Sequence, residues 1–412
     1  MRPSSVVPSR RVVRARTGAV LPTALLLLVA LTALAGGAFA MSRQSFRGGR
    51  NAMVEQRAFG VAEAGLNEQI GTWNQALNGL PASGGVAVDS TVTARRYVAN
   101  GDTAVVRVTR LDAMLFWVQS FGRASIPNPQ LQAARTVGAL VRIAYPSVKP
   151  QGAITTNGSV NVDGAKFNVD GTDRIPYAGS GAAWDSARCA GVKDSSVHAI
   201  AVPPGAKVDA KDANYGGALR VLHTPAASDP NTYIAFGTET MNTLIQNADR
   251  RYDTGDPSAT INIGGAGIGP KLTPDGTCDT SDSTKSNWGE PNGGAGAVTD
   301  CQSYFPIIYV RGSADIQGNG RGQGILIVDG DLKINGNFTW LGLILVRDDV
   351  NKGNGNATIT GAVMARNVDM KDGSSTYGGS QEVKYSKCAV ESALRGSAIL
   401  IRVRDRAWAQ LF

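Results

Sequence analysis

Residues 19–40 read AVLPTALLLLVALTALAGGAFA, and no charge occurs in the 26 residues between Arg16 and Arg43. About 20 apolar residues in a helix are long enough to cross the roughly 30 Å hydrocarbon core of a bilayer. This stretch therefore predicts a membrane-spanning helix over residues 19–41, and the rest of the chain is interpreted outward from it.

The residues before the apolar run are strongly basic. Residues 1–18 contain no acidic residue and five arginines: Arg2, Arg10, Arg11, Arg14 and Arg16. Because positive charge stays on the cytoplasmic side, this pattern predicts a cytoplasmic N-terminus and an exported body. Removing those five charges from the net +8 leaves +3, so the basic balance is mostly topogenic and no nucleic-acid binding is predicted.

Beyond the apolar run the helical pattern continues but becomes amphipathic. Ala62, Leu66, Ile70, Trp73 and Leu77 recur at spacings of four, four, three and four residues. That spacing places one apolar stripe along a helix of 3.6 residues per turn. We therefore expect the helix to extend over residues 19–80, with residues 42–80 laid against another surface.

The same region resembles a known family. A basic leader ending at Gly18, the run ALLLLVALTAL and the segment QRAFGVAEAGL at residues 56–66 resemble the N-terminus of PilX-like minor pilins of type IV pili. The resemblance covers about residues 10–77, and its most specific part is the pattern AFxxAEAGL. Some of the C-terminal half also resembles the β-rich domains attached to such N-termini.

The resemblance implies a processing step and a set of partners. A prepilin peptidase would cut between Gly18 and Ala19, removing residues 1–18. The chain would wait as a single-pass protein of the inner membrane, with a periplasmic domain that becomes extracellular in the pilus. Other pilins, the pilus assembly machinery and the prepilin peptidase would be its partners. The helix positions expected to pack in the filament are Thr23, Leu66, Ile70 and Trp73.

Thr23 departs from the pattern of filament-forming pilins. It occupies the fifth mature position, where those pilins usually carry a glutamate that pairs with the N-terminal amine of the neighbouring subunit. The resemblance therefore implies a minor subunit at or near the filament tip, promoting assembly or surface adhesion, with an unidentified surface ligand.

An ordinary secretory signal peptide is the alternative interpretation of the N-terminus. Ala38-Phe39-Ala40 offers a cleavage site of the A-x-A type. The apolar run is longer than a typical h-region of roughly 7 to 15 residues, and the helical pattern continues past Ala40. These features favour a retained helix.

The body after the helix has a composition typical of β-structure. Fifty glycines and 6% aromatic residues disfavour a helical bundle. Alternating segments such as TAVVRVTRL and LFWVQSFGRA, separated by turn residues, predict a small antiparallel sheet over residues 82–147. We expect this sheet to pack on the amphipathic half of the helix, giving an α+β, mostly β fold.

Residues 148–412 carry a different pattern. Apolar segments that start at residues 307, 324, 341 and 361 lie about 17 to 20 residues apart, a period typical of the rungs of a parallel β-helix, or solenoid. Residues 153–171 would form a first rung, and residues 172–306 an irregular insertion. Residues 264–300 are predicted to be an exposed loop, and residues 404–412 to cap the last rung.

The four cysteines lie in the exported part, where disulfides form. Three pairings are open to Cys189, Cys278, Cys301 and Cys388. We favour a bond between Cys278 and Cys301, because it would brace a loop rich in Gly, Ser and Asp.

The sequence predicts no catalytic residue, no cofactor and no metal site. A secreted or membrane-anchored β-helical enzyme acting on polysaccharide remains the alternative function, because such folds use paired carboxylates. The residues considered for it are Asp163, Asp170, Asp329, Asp331, Asp348 and Asp349, which turn chemistry alone also explains. The residues considered for calcium are Asp275, Asp279, Asp282 and Glu290. Neither His198 nor His223 is assigned to a catalytic triad.

Overall fold

The computed structural model describes residues 20–412, except 74–76, 78–84, 113, 125–131, 145, 163–166, 177–188, 190–195, 210–213, 218, 238, 265–266, 282–284, 294–296, 352, 354, 371–379, 397, 403–407 and 412. The chain begins with one long helix, α1 (Val20–Gly71), followed by a β-rich body of antiparallel and parallel sheets. The helix ends nine residues before the expected end at residue 80. Gly71 and Thr72 lie at this terminus, where a glycine is well tolerated, and the Thr72 hydroxyl donates to the Glu68 carbonyl oxygen at 2.7 Å.

Four strands after the helix form the predicted antiparallel sheet. They are β1 (Thr91–Ala99), β2 (Asp102–Arg110), β3 (Leu115–Ala124) and β4 (Ala133–Ala144). Each pairs antiparallel with the next, and Asn100 and Gly101 make the first turn with φ values of 51° and 82°. Alternate residues of β2 and β3 are buried, as expected for a sheet with one face against a helix.

The chain then enters the second part of the body, which is dominated by parallel pairing. Its first strands are β5 (Gly152–Thr156), β6 (Val160–Val162), β7 (Phe167–Asp170), β8 (His198–Val202), β9 (Val208–Asp209), β10 (Asn214–Gly216) and β11 (Val221–His223). β8 lies beside β5, β9 beside β6 and β10 beside β7, all in parallel.

A short connecting stretch follows. It contains α2 (Pro225–Ser228), α3 (Asn231–Ile234), β12 (Ala235–Phe236), β13 (Glu239–Thr240) and α4 (Met241–Gln246). Thr240 caps α4, because its hydroxyl accepts from the Thr243 backbone N–H. Met241 and Leu244 of α4 are buried in the main core.

The remaining strands of this part alternate between two sheets. They are β14 (Arg250–Tyr252), β15 (Thr260–Gly264), β16 (Ile307–Val310), β17 (Ser313–Gln317), β18 (Gly320–Val328), β19 (Leu332–Asn335), β20 (Phe338–Val346), β21 (Asp349–Asn351), β22 (Ala357–Ala365), β23 (Asn367–Met370) and β24 (Gln381–Tyr385). β16, β18, β20 and β22 pair in parallel within one sheet, and β17, β19, β21 and β23 within the other. Ile307 lies opposite Ile325, which lies opposite Leu343, so successive strands are offset by 18 residues.

The stacking order differs from the chain order. β5, β6 and β7 lie beside β22, β23 and β24, although more than 200 residues separate the paired positions in the chain. β8, β9 and β10 continue outward from there, and β14 and β15 lie at the opposite end. The expectation of an irregular insertion at 172–306 is therefore corrected, because this interval supplies strands at both ends of the stack.

The C-terminal segment returns to the antiparallel sheet. After α5 (Lys387–Gly396), both β25 (Ile399–Arg402) and β26 (Trp408–Leu411) pair antiparallel with β4. The expectation that residues 404–412 cap the last rung is therefore wrong for β26. The 12-residue β4 has an edge not paired to β3, and two short strands cover it. The parallel part is thus inserted between β4 and β25.

Candidate functional site

The N-terminal half of α1 is the most unusual surface of the molecule. Residues 21–53 are all exposed, a length of roughly 50 Å at about 1.5 Å per residue. Leu21, Leu26 and Leu34 are exposed by 78%, 69% and 71%. Leu21–Gly71 is the one helix in the described part that is long and apolar enough to cross a membrane. Within this length, residues 21–41 carry no charge and present a continuous apolar surface roughly 30 Å long, which requires lipid or other apolar helices around it.

The C-terminal half of the same helix is packed against the antiparallel sheet. Ala62 and Leu66 share a core with Val106, Phe116 and Val141, and Leu66 is only 1% exposed. Two sites allow this close approach. A Cβ at Gly65 would meet Ala104 Cβ at 3.0 Å, and a Cβ at Gly122 would meet the Ala58 carbonyl oxygen at 2.2 Å.

Ion pairs reinforce the contact between helix and sheet. The Arg57 guanidinium donates to both carboxylate oxygens of Asp102, with Nη2 to Oδ1 at 2.9 Å and Nε to Oδ2 at 3.2 Å. Farther along, Glu55 pairs with Arg135 and Glu68 with Arg95. Because Asp102 is nearly buried, the Arg57 pair is the best shielded of the three. The helix is thus held to the sheet along residues 54–70 and projects freely before them.

The four positions expected to pack in a filament fall on different parts of the helix. Thr23 lies on the projecting half and is exposed. Leu66, Ile70 and Trp73 lie in the core shared with the sheet, and the Trp73 ring contacts Phe116 edge-on at 5.4 Å between centroids. We correct the expectation for these three residues, because the chain's own sheet occupies their apolar surface.

The structure describes only one of the two alternative cleavage sites. Gly18 and Ala19 lie outside the described residues. Ala38, Phe39 and Ala40 lie inside α1, which continues for 31 residues beyond Ala40. Arg43, just beyond, lies over the Phe39 ring at 5.3 Å.

The aspartates considered for catalysis take part in contacts between stacked strands. Asp329 accepts from Tyr309 Oη at 2.5 Å and from Arg347 Nη1 at 3.0 Å. Asp348 accepts from Arg366 Nη1 at 2.9 Å, 18 residues away. Burial and the neighbouring Asp329 carboxylate raise the pKa of the Tyr309 phenol to about 12.

The next pair of aspartates follows the same rule. Asp331 accepts from the Asp349 backbone N–H, and Asp349 accepts from Asn367 Nδ2 at 2.7 Å. Asp170 bonds the Thr172 N–H and the Arg174 guanidinium, whereas Asp163 lies outside the described residues. Each described carboxylate therefore ties its own strand or turn to a neighbour, a structural role that turn chemistry favours.

The residues considered for calcium are dispersed or already bonded. Glu290 is fully buried, and its carboxylate accepts from the backbone N–H groups of Asn292 and Val298 and from Arg321 Nη2 at 2.7 Å. Asp275 is exposed, Asp279 accepts from the Ser281 N–H, and Asp282 lies outside the described residues. Among the described residues, no group of three or more His, Cys, Asp or Glu is placed to hold a metal ion.

The segment at 264–300, which was expected to be an exposed loop, is in part buried, and we call the buried residues around Trp288 the plug. Asn287, Trp288 and Glu290 are completely buried. The Trp288 indole contacts Trp340 and Phe338 edge-on at about 6 Å, and its backbone carbonyl accepts from the Gln323 N–H at 2.8 Å. Residues around Trp288 thus continue the stack beside β18, and buried aromatic packing explains the departure from the expectation.

Two disulfides join the four cysteines. Cys278 bonds Cys301, 23 residues away, at the base of the plug. Cys189 bonds Cys388 at the start of α5, 199 residues away. The second bond ties the helix that leads back to the antiparallel sheet to a distant part of the chain.

The histidines lie apart at strand ends. His198 begins β8 and His223 ends β11, where His223 Nδ1 lies 3.2 Å from the Pro203 carbonyl oxygen. No described contact joins either histidine to a serine or a carboxylate.

Sequence reasoning overlooked the second face of the antiparallel sheet. On this face Arg96, Arg107, Arg123 and Arg142 are exposed. The signal was present in the sequence, because these arginines occupy the positions between the apolar residues that strand alternation sends to the core. The net charge of the whole chain does not show that these arginines lie on the same face of the sheet.

Comparisons with known proteins complete these observations. No protein-family model matches this sequence, and no curated protein sequence matches it. Among solved structures, the competence-associated pilin ComZ from Thermus thermophilus matches over 87% of this chain and 97% of that chain, with 14% identity and a TM-score of 0.23. A likeness at this level does not establish a shared fold.

Proposed function

We propose that this chain is a minor, PilX-like pilin that is inserted in the inner membrane and then joins a type IV pilus or pseudopilus at or near its tip. The observation that carries the proposal is the helix with two halves. Residues 21–41 form an exposed apolar rod, residues 42–53 continue the helix as an exposed segment that carries three arginines, and residues 54–70 attach the helix to a folded β body by buried contacts and ion pairs.

This division suits transfer from membrane to filament. The apolar rod leaves lipid for an equivalent environment of packed apolar helices, so the transfer needs no change in the attached body. Gly36, Gly37, Gly48 and Gly49 have no heavy atom within 4 Å of an added Cβ, and small residues of this kind permit close helix approach. Thr23, in place of a carboxylate, fits a subunit with no neighbour above it.

We also propose that the parallel part is a β-solenoid with about 18 residues per turn. The alternation of strands between two sheets and the 18-residue register support this interpretation. Its role is to be displayed by the filament, promoting assembly or surface adhesion. The contacts made by Asp329, Asp348 and Asp349 favour this structural role over the cleavage of polysaccharide.

The first test is the N-terminal residue of the mature protein, determined by mass spectrometry of membrane and sheared-filament fractions. We expect Ala19. Gly18→Leu should block processing, whereas Ala40→Leu should leave it unchanged. A mature N-terminus at Met41, with Ala40→Leu as the blocking variant, would identify a signal peptide and overturn the proposal.

A second test concerns the partners of the rod. A photo-crosslinking residue at Leu28, which is 64% exposed, should capture another pilin in producing cells. The same residue placed at Leu111, which follows β2 and is 42% exposed, is the control and should not capture one. Equal capture at both positions would argue against filament packing through the rod.

A further inference from the structure

The antiparallel sheet has one face against α1 and an opposite face with a distinct composition. Strand register assigns Arg96, Val105 and Phe121 to one row across this opposite face, and Arg107 and Gln119 to the next. Trp117 and Leu140 form another row, and Arg142 lies opposite Leu115. We call this side the open face. Its four arginines are Arg96, Arg107, Arg123 and Arg142, and all are exposed.

Acidic residues are missing from the described positions of the open face on β1 to β4. Asp102 is the one acidic residue in these four strands, and it faces α1, where it pairs with Arg57. The open face therefore has a local charge of +4. From the row of Arg123 to the row of Arg142 the arginines spread over roughly 27 Å, at about 3.4 Å per residue. Such a field attracts a polyanion.

The aromatic residues on the open face are arranged as flat surfaces. A Cβ at Gly138 would lie 2.4 Å from a ring carbon of Trp117, so the indole lies across the backbone of β4 at this glycine. Trp117 remains partly exposed. Nearby, the Arg107 guanidinium lies over the Phe121 ring at 5.0 Å from its centroid. A flat indole beside guanidinium groups can stack on a planar ring while the charges bind phosphates.

We propose that the open face binds single-stranded nucleic acid, with phosphates at the four arginines and a base stacked on Trp117. The inference goes beyond the proposed assembly role and does not depend on it. A lipid headgroup surface fits less well. The sheet packs on residues 54–70, roughly 18 Å beyond the apolar run at about 1.5 Å per residue, and its open face points away from the helix. An acidic protein would satisfy the charges but would make no use of the exposed indole face.

The test uses the full chain in an uncharged detergent and a fluorescein-labelled oligothymidylate of 25 nucleotides. Anisotropy should report binding that weakens with salt, with a log–log slope near −2.8 for about four phosphate contacts on a single strand. Arg107→Gln with Arg123→Gln should weaken binding by about tenfold or more and reduce the slope to about half. Lys149→Gln with Lys207→Gln removes the same charge from exposed sites elsewhere and should change neither.

A further variant separates stacking from charge. Trp117→Leu keeps an apolar side chain and removes the π surface, so we expect about tenfold weaker binding with an unchanged salt slope. Disulfide content and circular dichroism show whether each variant is folded. Absence of binding at 100 mM salt would overturn the proposal. A second result would also overturn it: polyglutamate or duplex DNA binds as tightly as the oligothymidylate, and Trp117→Leu has no effect. That result would identify a general polyanion surface.

Discussion

Three glycines lie in register in the middle of three neighbouring strands, and we call them the glycine column. Gly324, Gly342 and Gly361 occupy the middle of β18, β20 and β22 with φ values of 108°, 128° and 144°. They lie in register, each opposite the next. A Cβ at Gly342 would lie 2.2 Å from the Gly324 carbonyl oxygen, and one at Gly361 would lie 1.9 Å from that of Gly342. Each glycine therefore serves both the backbone conformation and the approach of its neighbour.

We expect Gly342→Ala to lower the free energy of unfolding by at least about 2 kcal/mol, because it combines a strained φ with a backbone clash. Gly205→Ala is the matched control. It also has a positive φ, of 79°, but no atom lies within 4 Å of its Cβ, so about 1 kcal/mol is expected. Urea unfolding of the full chain in detergent measures both. Equal losses would show that backbone strain alone, and not close packing, constrains the glycine column.

The raised pKa of Tyr309 leads to a prediction about the stability of the protein at alkaline pH. Its folded pKa is raised to about 12, so the neutral phenol is stabilised by the fold. This stabilisation is complete below about pH 10, the usual tyrosine pKa, and is lost as the pH rises through about 12. Tyr309→Phe should be less stable than wild type at pH 8 by about 1 kcal/mol, because the bond to Asp329 is lost. The difference should shrink between pH 10 and 12, as unfolding curves at several pH values would show. A difference that stays constant would mean that the phenol does not titrate there.

At the scale of elements, the contact between α1 and the sheet is the joint on which the proposed function depends. Gly122 lies directly under the Ala58 carbonyl oxygen, and Ala62 is also within 2.7 Å of a Cβ placed there. The joint has no spare volume at this point, so any side chain larger than glycine at position 122 would overpack the contact between the sheet and the helix.

Gly122→Ala should weaken this joint by about 1 to 3 kcal/mol through overpacking. Limited proteolysis near Arg57, together with urea unfolding, should detect the loosened helix. Gly48→Ala lies on the projecting half of the same helix with open space around it, and we expect it to leave the joint unchanged and to raise helix stability by up to about 1 kcal/mol. If both variants behaved alike, the close approach at Gly122 would have no energetic weight.

Local patterns predicted the elements whose partners are near in sequence. The apolar stripe of Ala62, Leu66 and Ile70 identified the helix face that meets the sheet, and turn residues near Gly101 identified the first hairpin. The pairing of strands that are far apart in the sequence could not be predicted. Nothing local to Val160 shows that it lies beside Val368, and β25 carries no sign that it returns to β4. The open face was missed because the small antiparallel sheet was predicted without assigning the side chains of its strands to its two faces.

At the scale of the whole molecule, the disulfides close loops of very different length. Cys189 and Cys388 enclose a loop of 199 residues, and Cys278 and Cys301 one of 23. A longer closed loop removes more conformational entropy from the unfolded chain. The longer bond also anchors α5, the element between the parallel part and β25.

We therefore expect removal of the Cys189–Cys388 bond, by Cys189→Ala with Cys388→Ala, to cost about 2 kcal/mol more than removal of the other bond by Cys278→Ala with Cys301→Ala. Urea unfolding of the two double variants gives the comparison directly. The opposite ranking would mean that the short bond holds the plug around Trp288 in a way that loop entropy does not capture.

The stacking of β5, β6 and β7 beside β22, β23 and β24 imposes a waiting time on the newborn chain. The Ser159 N–H bonds the side chain of Asn367, which is made 208 residues later. At about 5 to 20 residues per second, roughly 10 to 40 seconds pass before the partner exists. During that interval β5 and β6 can pair with β8 and β9 on one side, but the edges that meet β22 and β23 stay unpaired. Unpaired strand edges promote aggregation, so the incomplete sheet must be kept from other chains until β22 and β23 have been made.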